Sequence, residues 1–295
     1  MNSLQVPSHF CRSFLTTIFS CALLFAAMPC VGAVAGHSNE PVETKKFLVV
    51  IDPGHGGGDT GAVYRENGVT LSEKTLTLLI ARDLARELII RGQNVILTRN
   101  DDQDVLLSNR TAIANKLKAD VFISIHLNSS DEKIKSGGVE TFILNHATDE
   151  TSKRLADLEN SVLKDSKAAT NGSEGGSDVS LIMKDLILDG TSEPSKALAC
   201  SVQARIKSAS RDRGVKQALF YVLLGADMPS ILIEAGFMNS KADRARILTV
   251  KTRLALAAQI ASAVDDYRHH KTPKHCQILS AKLFKRNAEK PRKHI

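Results

Sequence analysis

The chain has 295 residues, 43% of them hydrophobic and 24% charged, which suits a folded core and excludes an intrinsically disordered chain. Its net charge of +7 is unevenly placed: residues 268–295 hold nine of the 39 Lys and Arg and one of the 32 acids, so the rest balances at −1. With 4% aromatic residues and no Trp, the chain lacks both the basic face and the stacking groups of a nucleic-acid binder, and no nucleic acid is expected among its partners.

Phe14 to Ala35 is an apolar stretch preceded by Arg12, and Ala33-Val34-Ala35 has a small-x-small cleavage pattern. Residues 1–35 therefore read as a secretory signal peptide. An uncleaved membrane anchor is the competing reading, since the stretch is long enough to span. Cys11, Cys21 and Cys30 fall in this leader, leaving Cys200 and Cys276 to the mature chain. Export permits a disulfide but two distant cysteines do not demand one. Residues 36–45 are polar and read as a linker.

The run Phe47-Leu48-Val49-Val50-Ile51 predicts a buried strand, which stops at Asp52-Pro53-Gly54-His55-Gly56-Gly57. The glycines let the backbone turn sharply and approach whatever His55 holds. Leu76, Leu79, Ile80, Leu84 and Leu88 recur at helical spacing, predicting a helix over about 72–91 with Ser72 as N-cap and Gly92 as stop. Glu73 then sits in its first turn, near the edge that carries His55; a surface carboxylate favoured by the helix dipole is the plainer reading. A strand is expected near 94–98 and a helix near 108–117, where Arg110 could point to the substrate edge but reads more plainly as a surface residue.

The next strand, Val121-Phe122-Ile123-Ser124-Ile125, ends on His126-Leu127-Asn128. Further strands are expected near 139–144, 219–223 and 230–234, the last running into Glu234-Ala235-Gly236, with helices near 194–209 and 241–267. Alternating strands and helices over about 220 residues predict one α/β domain: a mainly parallel twisted sheet with helices on both faces. Parallel strands place His55, His126 and Glu234 on one carboxyl edge, where such folds bind ligands.

Two histidines and a glutamate, His55, His126 and Glu73, have the composition of a catalytic zinc set, three protein ligands with one position open. Glu234 suits a carboxylate outside the metal shell that moves protons. Protonation of the histidines below about pH 6 is expected to eject the metal.

Asp52-Pro53-Gly54-His55-Gly56-Gly57, Ser72-Glu73-Lys74, Ser124-Ile125-His126-Leu127-Asn128 and Ile233-Glu234-Ala235-Gly236-Phe237 resemble, in order, the motifs of zinc-dependent N-acetylmuramoyl-L-alanine amidases of the periplasmic cell-division type. The resemblance spans roughly residues 46–268. It implies that His55, Glu73 and His126 bind Zn2+, that Glu234 is catalytic, and that the substrate is the amide between N-acetylmuramic acid and L-alanine in peptidoglycan. Phe237-Met238-Asn239-Ser240 departs from the family's Phe-x-Ser-Asn.

Residues 145–193 read as an insertion: a helical pattern over Glu150 to Lys167, a Gly/Ser-rich stretch, and a further helix from Leu181. In the division amidases such an insertion carries a helix whose glutamate blocks the metal. Leu155-Ala156-Asp157-Leu158-Glu159-Asn160 resembles it, with Glu159 at the blocking position. The family's partners are activators that look like inactive metallopeptidases. Residues 269–295 form a basic tail suited to an anionic membrane or wall polymer.

Two other readings stand beside this one. Ser130-Asp131-Glu132-Lys133 and Ser161-Val162-Leu163-Lys164 match the Ser-x-x-Lys of penicillin-interacting serine enzymes, without the accompanying Lys-Thr-Gly. A non-catalytic zinc protein that binds cell-wall peptides, or a peptidase cutting another bond, would share the ligands, although Glu234 has no purpose in a pure binder.

Overall fold

The computed structural model describes residues 46–129, 137–147, 149–161, 192–271 and 273. The leader, the linker, the larger part of the 145–193 insertion, Ser130 and the tail beyond 273 lie outside the described residues.

A six-stranded sheet in the order β4-β1-β5-β8-β6-β7 forms the centre. Its strands are β1 (Leu48–Pro53), β4 (Asn94–Leu97), β5 (Val121–Asn128), β6 (Val139–Leu144), β7 (Asp212–Ala218) and β8 (Ser230–Phe237). Every neighbouring pair is parallel except β6 with β8. A separate hairpin, β2 (Val63–Glu66) with β3 (Val69–Ser72), lies between β1 and the first helix.

The helices are α1 (Glu73–Ile90), α2 (Leu107–Lys116), α3 (Glu150–Glu159), α4 (Ser192–Ile206), α5 (Lys241–Leu248) and α6 (Val250–Arg268). Strand alternation splits the core in two. Val49, Ile51, Ile123, Ile125, Ile231 and Ile233 meet α1, α4 and α6 on one face. Val50, Phe122, Phe142 and Leu232 meet α2, α3 and the turn at Tyr221–Leu223 on the other. Both faces are covered, as the α/β alternation predicts, and β1, β5 and β8 end on the same edge.

Two expected elements differ. The strand expected at 219–223 lies earlier, at Asp212–Ala218, and the apolar run instead makes a 3-10 turn. Phe220, Val222 and Leu223 are buried under the second face, so their hydrophobicity records burial and not conformation. The polar strand before them is a sheet edge, where side chains need not be apolar. The helix expected over 241–267 is broken at Thr249, which is extended, and its halves meet at 87°. The hairpin turns at Asn67-Gly68, both at positive φ, a pair that signals such turns; its strands, of only four residues each and without a buried face, carry little pattern of their own.

Candidate metal centre

The edge carrying His55 is rigidly built. His55 itself has φ 62, a left-handed conformation uncommon for any residue but glycine. The preceding carbonyls hold it there. Arg99 donates Nε to Pro53 O at 2.9 Å and a terminal nitrogen to Gly54 O at 2.8 Å. Arg110 reaches Pro53 O at 3.0 Å and His55 O at 3.1 Å, and pairs with the buried Asp52 at 2.8 Å. Thr98 and Ser124 donate their hydroxyls to the two oxygens of Asp52. Burial opposes ionisation of Asp52, but the Arg110 charge and these hydrogen bonds hold its carboxyl below the usual range. Arg110 is therefore not the surface residue expected from sequence: it is 3% exposed, because its guanidinium satisfies a carboxylate and a bent backbone at once.

Glu73 opens α1, where its backbone N–H donates to Ala62 O at 2.9 Å. Its carboxylate accepts from Ala62 N at 3.0 Å and Leu127 N at 2.9 Å, so α1, the loop after β1 and the end of β5 converge on one side chain. Gly61, at φ 59, passes so close that a Cβ there would stand 2.6 Å from the His55 ring and 2.7 Å from Glu73. His126 follows from β5, its ring 4.8 Å from that of His55.

Glu159, the last residue of α3, reaches into the same space. Its Oε2 is 3.3 Å from His55 Nε2 and 3.0 Å from His126 Nδ1. Glu73 Oε1 is 3.0 Å and 3.2 Å from the same two nitrogens. One donor atom from each of the four side chains lies within 4.8 Å of the others. They point at a common centre, where His55 Nε2 and Glu159 Oε2 are buried without hydrogen-bond partners. Ligands at zinc bond lengths on a tetrahedron stand roughly 3.4 Å apart, so this His2Glu2 set fits such a cation.

Burial would lower the His55 pKa, but Glu73, the Asp59 hydrogen bond and Glu159 raise it to about 10. Burial likewise opposes, and Glu159 and Glu73 raise, the His126 pKa, also to about 10. Burial alone would raise Glu73, yet the two histidines hold it well below the carboxylate range.

Glu234 stands one strand from His126, its partner in the β5–β8 register. It is fully buried and both carboxylate oxygens lack hydrogen-bond partners. Burial, then the charges of Glu159, Glu73 and Glu140, push its pKa well above the ordinary range. A carboxyl so placed can hold a proton beside the centre and give it up when its surroundings change.

Every residue singled out from the sequence at this edge is present in one site: His55, Glu73, His126, Glu159 and Glu234. Ser161 is exposed beyond the end of α3. Sequence reasoning missed three supports. Asp59 accepts from His55 Nδ1 at 2.8 Å, orienting Nε2 to the centre; its place in the glycine loop was the available signal. Arg99 carried none. Glu140, on β6, opposes Glu234 in register and carried only the oddity of an acid in an apolar strand.

Comparison with known proteins agrees with this geometry. Residues 49–266 match the family Amidase_3, described as N-acetylmuramoyl-L-alanine amidase. The chain is 32% identical over 240 residues to N-acetylmuramoyl-L-alanine amidase AmiA of Escherichia coli (strain K12), covering 79% of this chain and 81% of that protein. A crystal structure of N-acetylmuramoyl-L-alanine amidase from Clostridium difficile 630 superposes with TM-score 0.57 at 31% identity, covering 77% of this chain and 98% of its own. AmiC2 of Nostoc punctiforme, another such amidase, gives TM-score 0.55 at 30% identity over 76% and 98%.

Proposed function

The chain belongs to the N-acetylmuramoyl-L-alanine amidase family and acts on peptidoglycan, and from that premise we propose a zinc-dependent, self-blocked amidase that strips stem peptides from glycan strands during wall remodelling or cell division. The observation that carries the zinc assignment is the convergence of His55, Glu73, His126 and Glu159 on one buried point. His55, Glu73 and His126 are the resident ligands, each fixed by the backbone around it.

Zinc supplies Lewis acidity toward a carbonyl and toward water. The chain supplies the rest. Asp59 keeps His55 Nδ1 protonated and Nε2 available. Glu234 takes the proton of the attacking water and delivers it to the alanine nitrogen as the amide breaks. Asp52, Arg99 and Arg110 hold the His55 loop still throughout.

Glu159 occupies the substrate's position, so α3 is the gate. Its hold is substantial: Leu155 and Ala156 are buried in the second core. Asn160 donates to Leu219 O at 2.7 Å and accepts from Tyr221 N at 2.8 Å, pinning the helix end beside Glu159. A partner that prefers the withdrawn helix would shift the population by its differential affinity. Such an activator, of the inactive metallopeptidase-like type, is part of the proposal.

So are the boundaries: signal peptide 1–35, linker 36–45, catalytic domain 46–268 with its insertion at 145–193, and basic tail 269–295 for an anionic surface. Cys200 is disulfide-bonded, which supports export to an oxidising periplasm.

The test is Glu234→Gln. Zinc content should stay near that of the native protein while hydrolysis falls by roughly 10^2–10^4-fold. Undiminished turnover would remove Glu234 from the chemistry, and a zinc-free native protein would remove the metal.

A further inference from the structure

We propose that Arg213 and Lys216 form a subsite for a carboxylate on the stem peptide, one that α3 covers in the blocked enzyme. This rests on the amidase reading and extends it to substrate selection.

Both cations lie on β7 and converge on one buried acid. Arg213 Nε donates to Glu140 Oε2 at 3.0 Å, and Lys216 Nζ stands 2.6 Å from the same oxygen. Glu140's other oxygen accepts from Asn128 at 2.6 Å. One carboxylate thus neutralises one of two cations, and the cluster keeps a positive charge. Arg213 spends only Nε on Glu140; its terminal nitrogens have no hydrogen-bond acceptor among the described residues. Each cation rests on an aromatic ring, Arg213 4.8 Å above Phe237 and Lys216 5.7 Å from Phe142. The heads are therefore aimed, not waving in solvent: the side chains are 21% and 14% exposed.

The cluster sits in line with the chemistry. His126 faces Glu234 across β5–β8, Glu234 faces Glu140 across β8–β6, and β7 is next. Three strand spacings separate β5 from β7, about 14 Å. An extended peptide covers that in about four residues. A stem peptide whose first amide lies at the metal centre then brings an acidic side chain or terminal carboxylate of a following residue to Arg213 and Lys216.

The gate traces the same path. α3 packs on β7, and its end delivers Glu159 to the two histidines. Its N-cap, Asp149, feels the Lys216 charge: burial opposes its ionisation, and the Ser152 hydrogen bonds and then Lys216 hold its pKa below the usual range. Helical rise puts Asp149 and Glu159 about 15 Å apart, close to the three strand spacings between β5 and β7. The helix thus brings one carboxylate under the influence of Lys216 and another to the two histidines, as an acidic peptide would.

The experiment compares two muropeptides with the full chain carrying zinc, in native and Glu159→Ala forms: one with free stem carboxylates and one with those carboxylates amidated. Expected is a preference of about tenfold or more for the free acid in kcat/KM, carried by KM. Arg213→Gln with Lys216→Gln should erase that preference, and Arg213→Lys with Lys216→Arg should keep part of it. Equal loss on both substrates would assign the cations a structural role and overturn the subsite. So would cleavage of both muropeptides at one rate by the unsubstituted cations. If neither muropeptide is cut by either form, the amidase reading itself fails, and the subsite with it.

Discussion

At the scale of single residues, the carboxylates facing His55 and His126 favour protonated imidazoles. Both histidines are raised to about 10, so their contribution to stability is complete below the unfolded value of 6.5 and disappears as pH rises through about 10. A metal must displace those protons. Zinc binding at pH 7 should therefore release about two protons, seen by calorimetry in buffers of different ionisation enthalpy. Release of none would mean that the imidazoles are neutral before the metal arrives. It also follows that protons compete with metal well above the pH 6 expected of a free imidazole. Asp59 sets which nitrogen faces the centre, so Asp59→Ala should weaken zinc binding by about 10–100-fold without removing a ligand. An unchanged affinity in competition with a chelator would make that hydrogen bond incidental. His55, His126 and Glu234 were legible because each ends a strongly patterned strand at a predictable edge, whereas Glu73, plainly a surface carboxylate by its helix position, is buried. Asp59, Arg99 and Glu140 were not, since their roles depend on which loops and strands lie side by side.

At the scale of elements, β1 and its loop are shaped from behind by two arginines on β4's exit and on α2. The sequence shows neither contact, because Arg99 and Arg110 act across 45 and 55 residues. Arg110→Ala would leave Asp52 buried and unpaired, costing about 3–5 kcal/mol in denaturant titration. A loss under about 1 kcal/mol would show that water or Arg99 takes over. Asp52 has a lowered folded pKa, so its contribution is present above 3.8 and lost as pH falls toward the folded value. Acid unfolding of the native chain should therefore draw on this carboxylate, and Arg110→Ala should unfold at higher pH. Helical and strand periodicity located α1, β5 and β8 closely. The apolar run at 219–223 misled because a buried turn and a buried strand have the same composition, while the true strand is a polar edge.

At the scale of the whole molecule, the parallel arrangement of β1, β5 and β8 is what turns three distant sequence motifs into one centre, and the fold class was readable from their alternation alone. The placement of α3 was not readable from physics: its pattern promised an amphipathic helix, and only the family resemblance pointed its glutamate at the metal. The structure gives that helix a buried apolar face, a pinned end at Asn160 and a carboxylate between the two histidines. In the proposed reading blocking and catalysis share one site, and the position of this helix sets the state of the enzyme.

The most direct measurement is the digestion of purified peptidoglycan by the zinc-loaded full chain and by its Glu159→Ala form, with released products identified by mass. Free stem peptides beginning with L-alanine, released faster by Glu159→Ala than by the native chain, are the predicted result. Peptides cut at another bond, or equal rates from the two forms, would contradict the proposed self-blocked amidase.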